Sequence, residues 1–370
     1  MTRKHIAFIV ESAHGHIHPT LPITASLCNR GYRVTYAVTE YFKARVVANG
    51  GEAKIYKPLQ TKVALFRELQ RVNPDGQGDF AFDFSRLDLD RYLKEDFRRE
   101  VQDTRAQLES LYHNDRPDLI VYDCMNPAGQ SLALEWHIPV IEHSPMLIEP
   151  EGQYASTMVI VSLPAFFQKN AQELGSKFHF VGPLYTDSKI FAPWKGHSTT
   201  EPIVLVSATT GLLPELSFYS TAIRAFQSLP WHVVLSIPED LSPESLNPLP
   251  NNVEINRFAS LQDILAKSSL YVGQGGPSGI FEALRFAVPL LLVPPSPAHD
   301  VNARRVAELG LGIRLLQSGF SPETVRNAAC SLVNDAALRD RLREVQVTIR
   351  GNAGAERTAD LIDQYLNTFA

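Results

Sequence analysis

The chain has 370 residues, of which 44% are hydrophobic and 20% charged, and its formal net charge is −5 at pH 7. This length exceeds the roughly 250–300 residues at which a single core stops growing, so two domains are expected. The composition excludes the disordered and fibrous classes, and an acidic balance without a basic block gives no electrostatic footprint for nucleic acid. We therefore expect small molecules as partners and no nucleic acid.

The cysteines and the first residues of the sequence indicate the cellular compartment in which we expect the protein. Cys28, Cys124 and Cys330 are widely separated and lack a C-x-x-C spacing, so we expect buried thiols in a reducing compartment. The first strand ends too early and is too polar for a signal peptide, and no stretch reaches the ~18 apolar residues of a membrane span. These features predict a cytoplasmic protein without stable membrane insertion.

Short apolar runs alternate with helical patterns in both halves of the sequence, which is typical of parallel sheets. In the first half the predicted strands are residues 5–10, 32–38, 53–56, 119–124 and 139–143, followed by one small strand at 158–163. In the second half they are residues 203–207, 232–237, 253–258, 270–272 and 290–293.

The polar stretch at 186–202 interrupts this alternation and predicts a linker between two domains. We expect an N-terminal domain at 1–185 and a C-terminal domain at 203–370, although the terminal helix could return to the first domain. The tail is predicted to be helical from a cap at Ser321. The fold class is α/β, with two doubly wound, Rossmann-like parallel sheets facing a cleft and ligands at the carboxyl ends of strands.

Three histidines follow the first strand in the run SAHGHIHP at residues 12–19. Gly15 permits a tight loop and Pro19 suits the first turn of a helix, so the run lies where an α/β sheet exposes reactive groups. The His-x-His spacing alone could suggest a metal, but no cysteine cluster or carboxylate motif accompanies it. A general base is therefore the better interpretation, and no metal site is predicted.

This run resembles the Gly-His-x-x-Pro element of the family 1 glycosyltransferases, especially their bacterial macrolide and natural-product branch. The resemblance extends over residues 5–56, 116–143 and 203–316 and implies the GT-B fold. It also implies that His16 is the catalytic histidine and that Asp123, at the end of PDLIVYD, completes a histidine–aspartate pair. In such a pair a neutral imidazole takes the proton of the acceptor hydroxyl and the carboxylate orients the ring. Alternatively, Asp123 is only a cap at a strand end.

A second glycine-rich loop, VGQGGPSG at residues 272–279, follows a strand and opens a helix. Such a loop can offer backbone N–H groups and a helix N-terminus to a diphosphate, although many glycine loops are simple turns. By resemblance, Glu282 binds ribose hydroxyls and Phe258, unless it is a core residue, stacks on the nucleobase. The remaining donor-site candidates are Ser207, Thr210, Gln274, Gly275, Gly276, Ser278, Gly279 and His299.

The sequence departs from the family pattern in this half. Gln274 replaces a histidine that contacts the phosphates, and glutamine can donate a hydrogen bond but carries no charge. Ala298 and His299 replace the acidic residue and glutamine that bind the sugar hydroxyls, while Asp300 comes one residue late and could substitute only if the loop shifts. A donor with fewer hydroxyls, such as a deoxysugar, would fit this loss.

The sequence predicts an inverting, metal-independent glycosyltransferase that moves a sugar, deoxysugars included, to a hydroxyl of a natural product such as a macrolide or polyketide. The co-substrate is a UDP- or dTDP-linked sugar, and no other cofactor is expected. Two alternatives stay open: a relative that keeps the histidine–aspartate pair for another reaction, and a non-catalytic partner of a biosynthetic enzyme. An acceptor presented by a carrier protein, and any oligomeric state, are equally compatible with the sequence.

Overall fold

The computed structural model describes residues 3–59, 95–150, 152, 154, 156–185, 193–196, 200–208, 216–238, 241–257 and 260–369. Within these ranges the chain forms two compact units. The first contains the described residues up to 185 together with those from Asn352 onward, and the second contains the described residues from 193 to Gly351.

A parallel sheet of seven strands forms the centre of the first unit in the described part of the chain. The strands are β1 (His5–Ile9), β2 (Arg33–Val38), β3 (Glu52–Ile55), β4 (Leu119–Asp123), β5 (Val140–Ser144), β6 (Val159–Val161) and β7 (Phe178–Phe180). Their spatial order is β3-β2-β1-β4-β5-β6-β7. The order reverses between β1 and β4, and ligands of open α/β sheets bind beside such a reversal.

Helices cover both faces of this sheet, which is why β1 and β4 are buried along their whole length. The helices are α1 (His14–Ile17), α2 (Leu21–Asn29), α3 (Glu40–Ala48), α4 (Phe97–Tyr112) and α5 (Ala128–Trp136). Alternate residues of β1 enter two different cores, Ile6 and Phe8 on the α2 and α3 side and Ala7 and Ile9 on the α4 and α5 side.

The second unit repeats the arrangement with six parallel strands among its described residues. They are β8 (Ile203–Ser207), β9 (His232–Ser236), β10 (Val253–Asn256), β11 (Leu270–Gly273), β12 (Leu290–Leu292) and β13 (Gly312–Arg314), in the order β10-β9-β8-β11-β12-β13. The helices are α6 (Leu216–Phe226), α7 (Leu261–Leu265), α8 (Pro277–Arg285), α9 (Pro297–Glu308), α10 (Pro322–Asn334) and α11 (Ala336–Arg350). Here the order reverses between β8 and β11.

The last helix, α12 (Gly354–Asn367), packs against the first unit. Ile362 and Leu366 are buried in the core beside α2. Arg30, just after α2, makes ion pairs with three carboxylates of α12 at 2.7–2.8 Å, those of Glu356, Asp360 and Asp363. The end of the chain therefore contributes to the core of the N-terminal sheet.

The expected strands are present, with ends shifted by one or two residues where they are described. The cap at Ser321 is also confirmed, as a reciprocal pair of hydrogen bonds with Thr324. The short strands β7 and β13 were not expected. The three cysteines are only partly buried, which corrects the expectation of buried thiols. Among the described residues, no helix combines the length and the apolar content needed to cross a membrane.

Candidate active site

The histidine run lies directly beyond the carboxyl end of β1. Ala13 is extended and serves as the N-cap of α1, whose single turn is closed by the bond from His16 N–H to Ala13 C=O at 3.1 Å. Ile17 is completely buried and fixes the turn against the core. This packing directs the His16 side chain back toward the sheet, where 18% of it remains exposed.

His16 contacts Asp123 at the carboxyl end of β4. The two oxygens of the carboxylate lie 3.0 and 2.9 Å from Nδ1 of the imidazole. Asp123 is completely buried and also accepts the backbone N–H of Met125 at 2.8 Å. The two residues thus flank the reversal of strand order between β1 and β4, as their positions at strand ends predict.

Neighbouring side chains keep the Asp123 carboxyl in its ionised form. Burial alone would raise the pKa of this carboxyl, but attraction to His16 and the contact with His143 outweigh burial and keep the pKa well below its usual range. The carboxylate is therefore ionised at neutral pH. Because it accepts from Nδ1 of His16, the ring carries its proton there, and the lone pair is on Nε2.

A second histidine, which the sequence analysis did not single out, lies on the other side of the same carboxylate. His143 on β5 is the register partner of Asp123, and its Nδ1 lies 3.5 Å from Oδ2 of Asp123. Its Nε2 lies 2.6 Å from the hydroxyl of Ser162. The signal in the sequence was weak, since it consisted of one histidine at the end of the strand that follows Asp123.

The other two histidines of the run form a separate cluster. Nδ1 of His14 lies 3.3 Å from Nε2 of His18, and Nε2 of His14 lies 3.2 Å from the Tyr41 hydroxyl. Burial and the charge of Arg45 lower the pKa of His14 to about 4. Burial, reinforced by His14 and Arg45, lowers that of His18 to about 3, so both rings are neutral at pH 7. Within the described ranges, no group of three or more histidine, cysteine or acidic side chains is arranged to hold a metal ion.

In the second unit the glycine loop connects β11 to α8. Gly276 is the N-cap of α8 and provides no side-chain bond to the first turn. The N–H groups of Ser278 and Gly279 belong to that turn, which has no intrahelical acceptor for them. Gly275 has a φ of +89°, a conformation that favours glycine. The loop therefore presents main-chain donors at the positive end of a helix.

Tyr271 on β11 lies beneath this loop and explains two of its glycines. A methyl group at Gly273 or at Gly279 would overlap the Tyr271 phenol ring or its oxygen. The side chain of Ser207, at the end of the neighbouring strand β8, lies close to the same hydroxyl. Tyr271 is therefore placed beside the carboxyl ends of β8 and β11, the two strands that flank the reversal in this sheet.

The start of α9 packs against the glycine loop. A methyl group at Gly275 would lie 2.7 Å from the carbonyl oxygen of His299, and the Asn302 amide donates to the Gly275 carbonyl at 3.0 Å. Nδ1 of His299 lies 2.7 Å from the Ser296 hydroxyl. Burial lowers the pKa of His299 to about 4, so this ring is neutral at pH 7.

The remaining donor-site candidates are placed as follows. Gln274 and Ser207 are buried at the loop and at the end of β8. Glu282 is on α8, one turn beyond Ser278, and burial, partly offset by Arg285, raises its pKa to about 7. Thr210 and Phe258 lie outside the described residues. The structure brings Ser207, the loop and His299 together around the carboxyl ends of β8 and β11.

Known proteins are similar to this chain in sequence and in architecture. Residues 221–361 match the model of the erythromycin biosynthesis protein CIII-like C-terminal domain. The NDP-glycosyltransferase YjiC of Bacillus licheniformis is 31% identical, over 99% of this chain and 98% of its own. The demethyllactenocin mycarosyltransferase of Streptomyces fradiae is 30% identical, over 99% of this chain and 87% of its own. The crystal structure of CalG4, the calicheamicin glycosyltransferase, superposes with a TM-score of 0.81 and 28% identity over the whole of both chains.

Proposed function

Since the chain belongs to the family 1 glycosyltransferases, in their bacterial natural-product branch with the GT-B fold, we propose that it transfers a sugar from a nucleoside diphosphate to a hydroxyl of a macrolide or polyketide with inversion at the anomeric carbon. The observation that carries the proposal is the contact of His16 with the buried, ionised carboxylate of Asp123 at 2.9 Å. A base of this kind suits an acceptor hydroxyl, whose proton must be removed as it attacks.

The proposed reaction is a single displacement. Nε2 of His16 takes the proton of the acceptor hydroxyl while the oxygen forms a bond to the anomeric carbon. The bond from that carbon to the diphosphate breaks, and the nucleoside diphosphate leaves with the electron pair. Asp123 holds the ring in the required tautomer and stabilises the imidazolium. One displacement from the face opposite the leaving group inverts the anomeric configuration.

The glycine loop and the first turn of α8 support the donor half of the proposal. The N–H groups of Ser278 and Gly279 and the helix dipole suit the negative charge that grows on the diphosphate. These donors are main-chain groups and do not depend on the side chain at Gln274. We propose that they bind the diphosphate of a UDP- or dTDP-linked sugar without a metal ion.

The start of α9 supports a donor with few hydroxyls. Ala298 has no polar side-chain atom, and His299 is bonded to Ser296. Asp300 makes ion pairs with Arg304 and Arg314, which occupy both of its oxygens. Each oxygen of Asp300 therefore already has a cationic partner that holds it in this orientation, and we propose a deoxysugar donor, which needs fewer partners for its hydroxyls.

Calorimetric titration with UDP, dTDP and GDP tests the donor site, followed by turnover measurements with UDP-glucose and several dTDP-deoxysugars, with and without EDTA. We expect binding of one diphosphate, turnover that is insensitive to EDTA, and a preference for deoxysugars. Gln274→His should strengthen diphosphate binding by on the order of 1 kcal/mol. Gln227 is exposed, so Gln227→His serves as the matched control and should leave diphosphate binding unchanged.

The sugar preference is tested by a second variant, Ala298→Asp with His299→Gln, which gives extra hydroxyls their partners. We expect it to favour UDP-glucose relative to wild type. If wild type and Gln274→His alike bind none of the nucleotides, the loop is not a donor site. A non-glycosyl reaction of the His16–Asp123 pair would then be the better account.

A further inference from the structure

We infer that His143, supported by Ser162, is a positioning residue that holds the Asp123 carboxylate from the side opposite His16 and thereby sets the pH range in which His16 acts as a base. The inference rests on the proposed function, because it assigns a role to His143 in the same proton transfer. His143 does not touch a substrate in this account. It acts through Asp123.

The three side chains come from the ends of three neighbouring strands. Asp123 ends β4, His143 is its register partner on β5, and Ser162 directly follows β6. All three are at least 96% buried, with exposed fractions of 0%, 1% and 4%. Nδ1 of His143 faces Oδ2 of Asp123 at 3.5 Å, and its Nε2 faces the Ser162 oxygen at 2.6 Å. Because of this burial the His143 ring is shielded from solvent, and its two nitrogens face the Asp123 carboxylate and the Ser162 hydroxyl.

Chemistry determines the direction of these contacts. A lone pair on the His143 nitrogen that lies 3.5 Å from the ionised Asp123 carboxylate would be repelled by it, so this nitrogen carries the proton. A neutral imidazole then has its lone pair on Nε2, where the Ser162 hydroxyl donates. The Ser162 hydroxyl thus donates to His143, and Nδ1 of His143 lies 3.5 Å from the Asp123 carboxylate, an electrostatic contact that is longer than a good hydrogen bond. Asp123 itself accepts hydrogen bonds from His16 and from the Met125 N–H.

The carboxylate of Asp123 thus interacts with two imidazoles, those of His16 and His143. The titratable groups close to Asp123 are His16 on α1, His143 and Glu142 on β5, and the adjacent Cys124. The N–H dipole of His143, 3.5 Å from Asp123, offsets part of the negative charge of that carboxylate and so weakens its stabilisation of the imidazolium of His16. Removing that donor should make protonated His16 more favourable, so that a higher pH is needed to keep the base neutral.

The test is the pH profile of kcat for three variants of the full chain. His143→Leu removes the donor and should lower kcat about tenfold, while leaving both KM values unchanged. The acid limb of its profile should move up by about half a pH unit. His143→Asn keeps an N–H near the position of Nδ1. It should therefore restore most of the wild-type kcat and return the acid limb close to its wild-type position. Ser162→Ala keeps the N–H of His143 but removes the hydroxyl that orients the ring. We expect it to move the acid limb of the kcat profile up by less than His143→Leu does.

His5 supplies a matched control, because it is also a buried histidine between a hydroxyl and a carboxylate. Its Nε2 lies 2.8 Å from the Thr35 hydroxyl and its Nδ1 lies 3.7 Å from Asp115, at the opposite end of the sheet. His5→Leu should lower the melting temperature as His143→Leu does, and should leave the pH profile of kcat unchanged.

A folded His143→Leu with the wild-type kcat and acid limb would overturn the inference. If that variant does not fold, Ser162→Ala decides, and a wild-type profile for it has the same meaning. The inference can fail alone: His16→Ala would then lower kcat by roughly 10²–10⁴ while the His143 and Ser162 variants behave as wild type. Failure of the proposed function is different, because His16→Ala would keep its turnover.

Discussion

Nδ1 of His16 lies 2.9 Å from the Asp123 carboxylate, although 107 residues separate the two in the chain. The contact follows from the topology, since β1 and β4 are adjacent parallel strands and both side chains lie at the carboxyl edge of the sheet. The proposed base and the group that orients it are therefore assembled by the reversal of strand order in the first unit.

Asp123→Asn should lower kcat by roughly 10²–10⁴, because an amide cannot balance the charge of the imidazolium. The measurement is turnover at saturating donor and acceptor. Asp115→Asn is the control, since Asp115 is a carboxylate of the same unit that pairs with Arg33 and Lys54 away from His16. Its loss should cost stability and leave kcat within a factor of about two. A normal kcat for Asp123→Asn would mean that the contact is only structural.

Gly279→Ala should destabilise the second unit by about 1–3 kcal/mol, because the added methyl group overlaps the Tyr271 hydroxyl. Tyr271→Phe removes that oxygen, after which the nearest ring atom, Cζ, lies 3.1 Å from the methyl position. The cost of Gly279→Ala should therefore be much smaller in the Tyr271→Phe background, as measured by urea unfolding.

Gly273→Ala provides the comparison for this pair. Its methyl group would overlap the carbons of the Tyr271 ring as well as the oxygen, so Tyr271→Phe should not rescue it. Equal costs for Gly279→Ala in both backgrounds would show that the Tyr271 hydroxyl does not determine the packing of the loop.

Glu282→Gln should stabilise the protein above pH 7 and have little effect near pH 4. Burial raises the pKa of Glu282 to about 7, so between its unfolded value of about 4.3 and pH 7 the unfolded state loses the proton first. Wild-type stability from this group therefore falls as pH rises through that window and is constant above it. The difference in melting temperature between variant and wild type, followed from pH 4 to 8, should grow over the same window. A difference independent of pH would contradict the shift.

Much of the fold could be predicted because strands buried on both faces are continuous apolar runs, as in β1, β4, β8 and β11. The family resemblance and the GT-B fold are confirmed. The strands β7 and β13 were not predicted, because their sequences FHF and GIR lack the continuous apolar run that marks β12, a strand of the same length. The positions of Phe258 and Thr210 lie outside the described residues, so their roles stay predictions.

The sequence predicts those site residues whose place follows from their position directly after a strand. It does not predict residues whose contacts depend on how neighbouring strands are aligned in register. His16 and Asp123 both follow buried strands, and this alone places them at one edge of a parallel sheet. His143 matters because β5 pairs with β4 in a register that opposes it to Asp123, and a single sequence does not specify register. The contact between Tyr271 and the glycine loop likewise depends on the path of a side chain, which composition and spacing do not reveal.

Whether His16 is the base of an inverting transfer is tested by the turnover of wild type and His16→Ala with a nucleotide sugar and a macrolide or polyketide acceptor, together with the anomeric configuration of the product. We expect a wild-type product of inverted configuration and a kcat for His16→Ala lower by roughly 10²–10⁴, with donor binding unchanged. A His16→Ala enzyme that turns over at the wild-type rate, or a product of retained configuration, would contradict it.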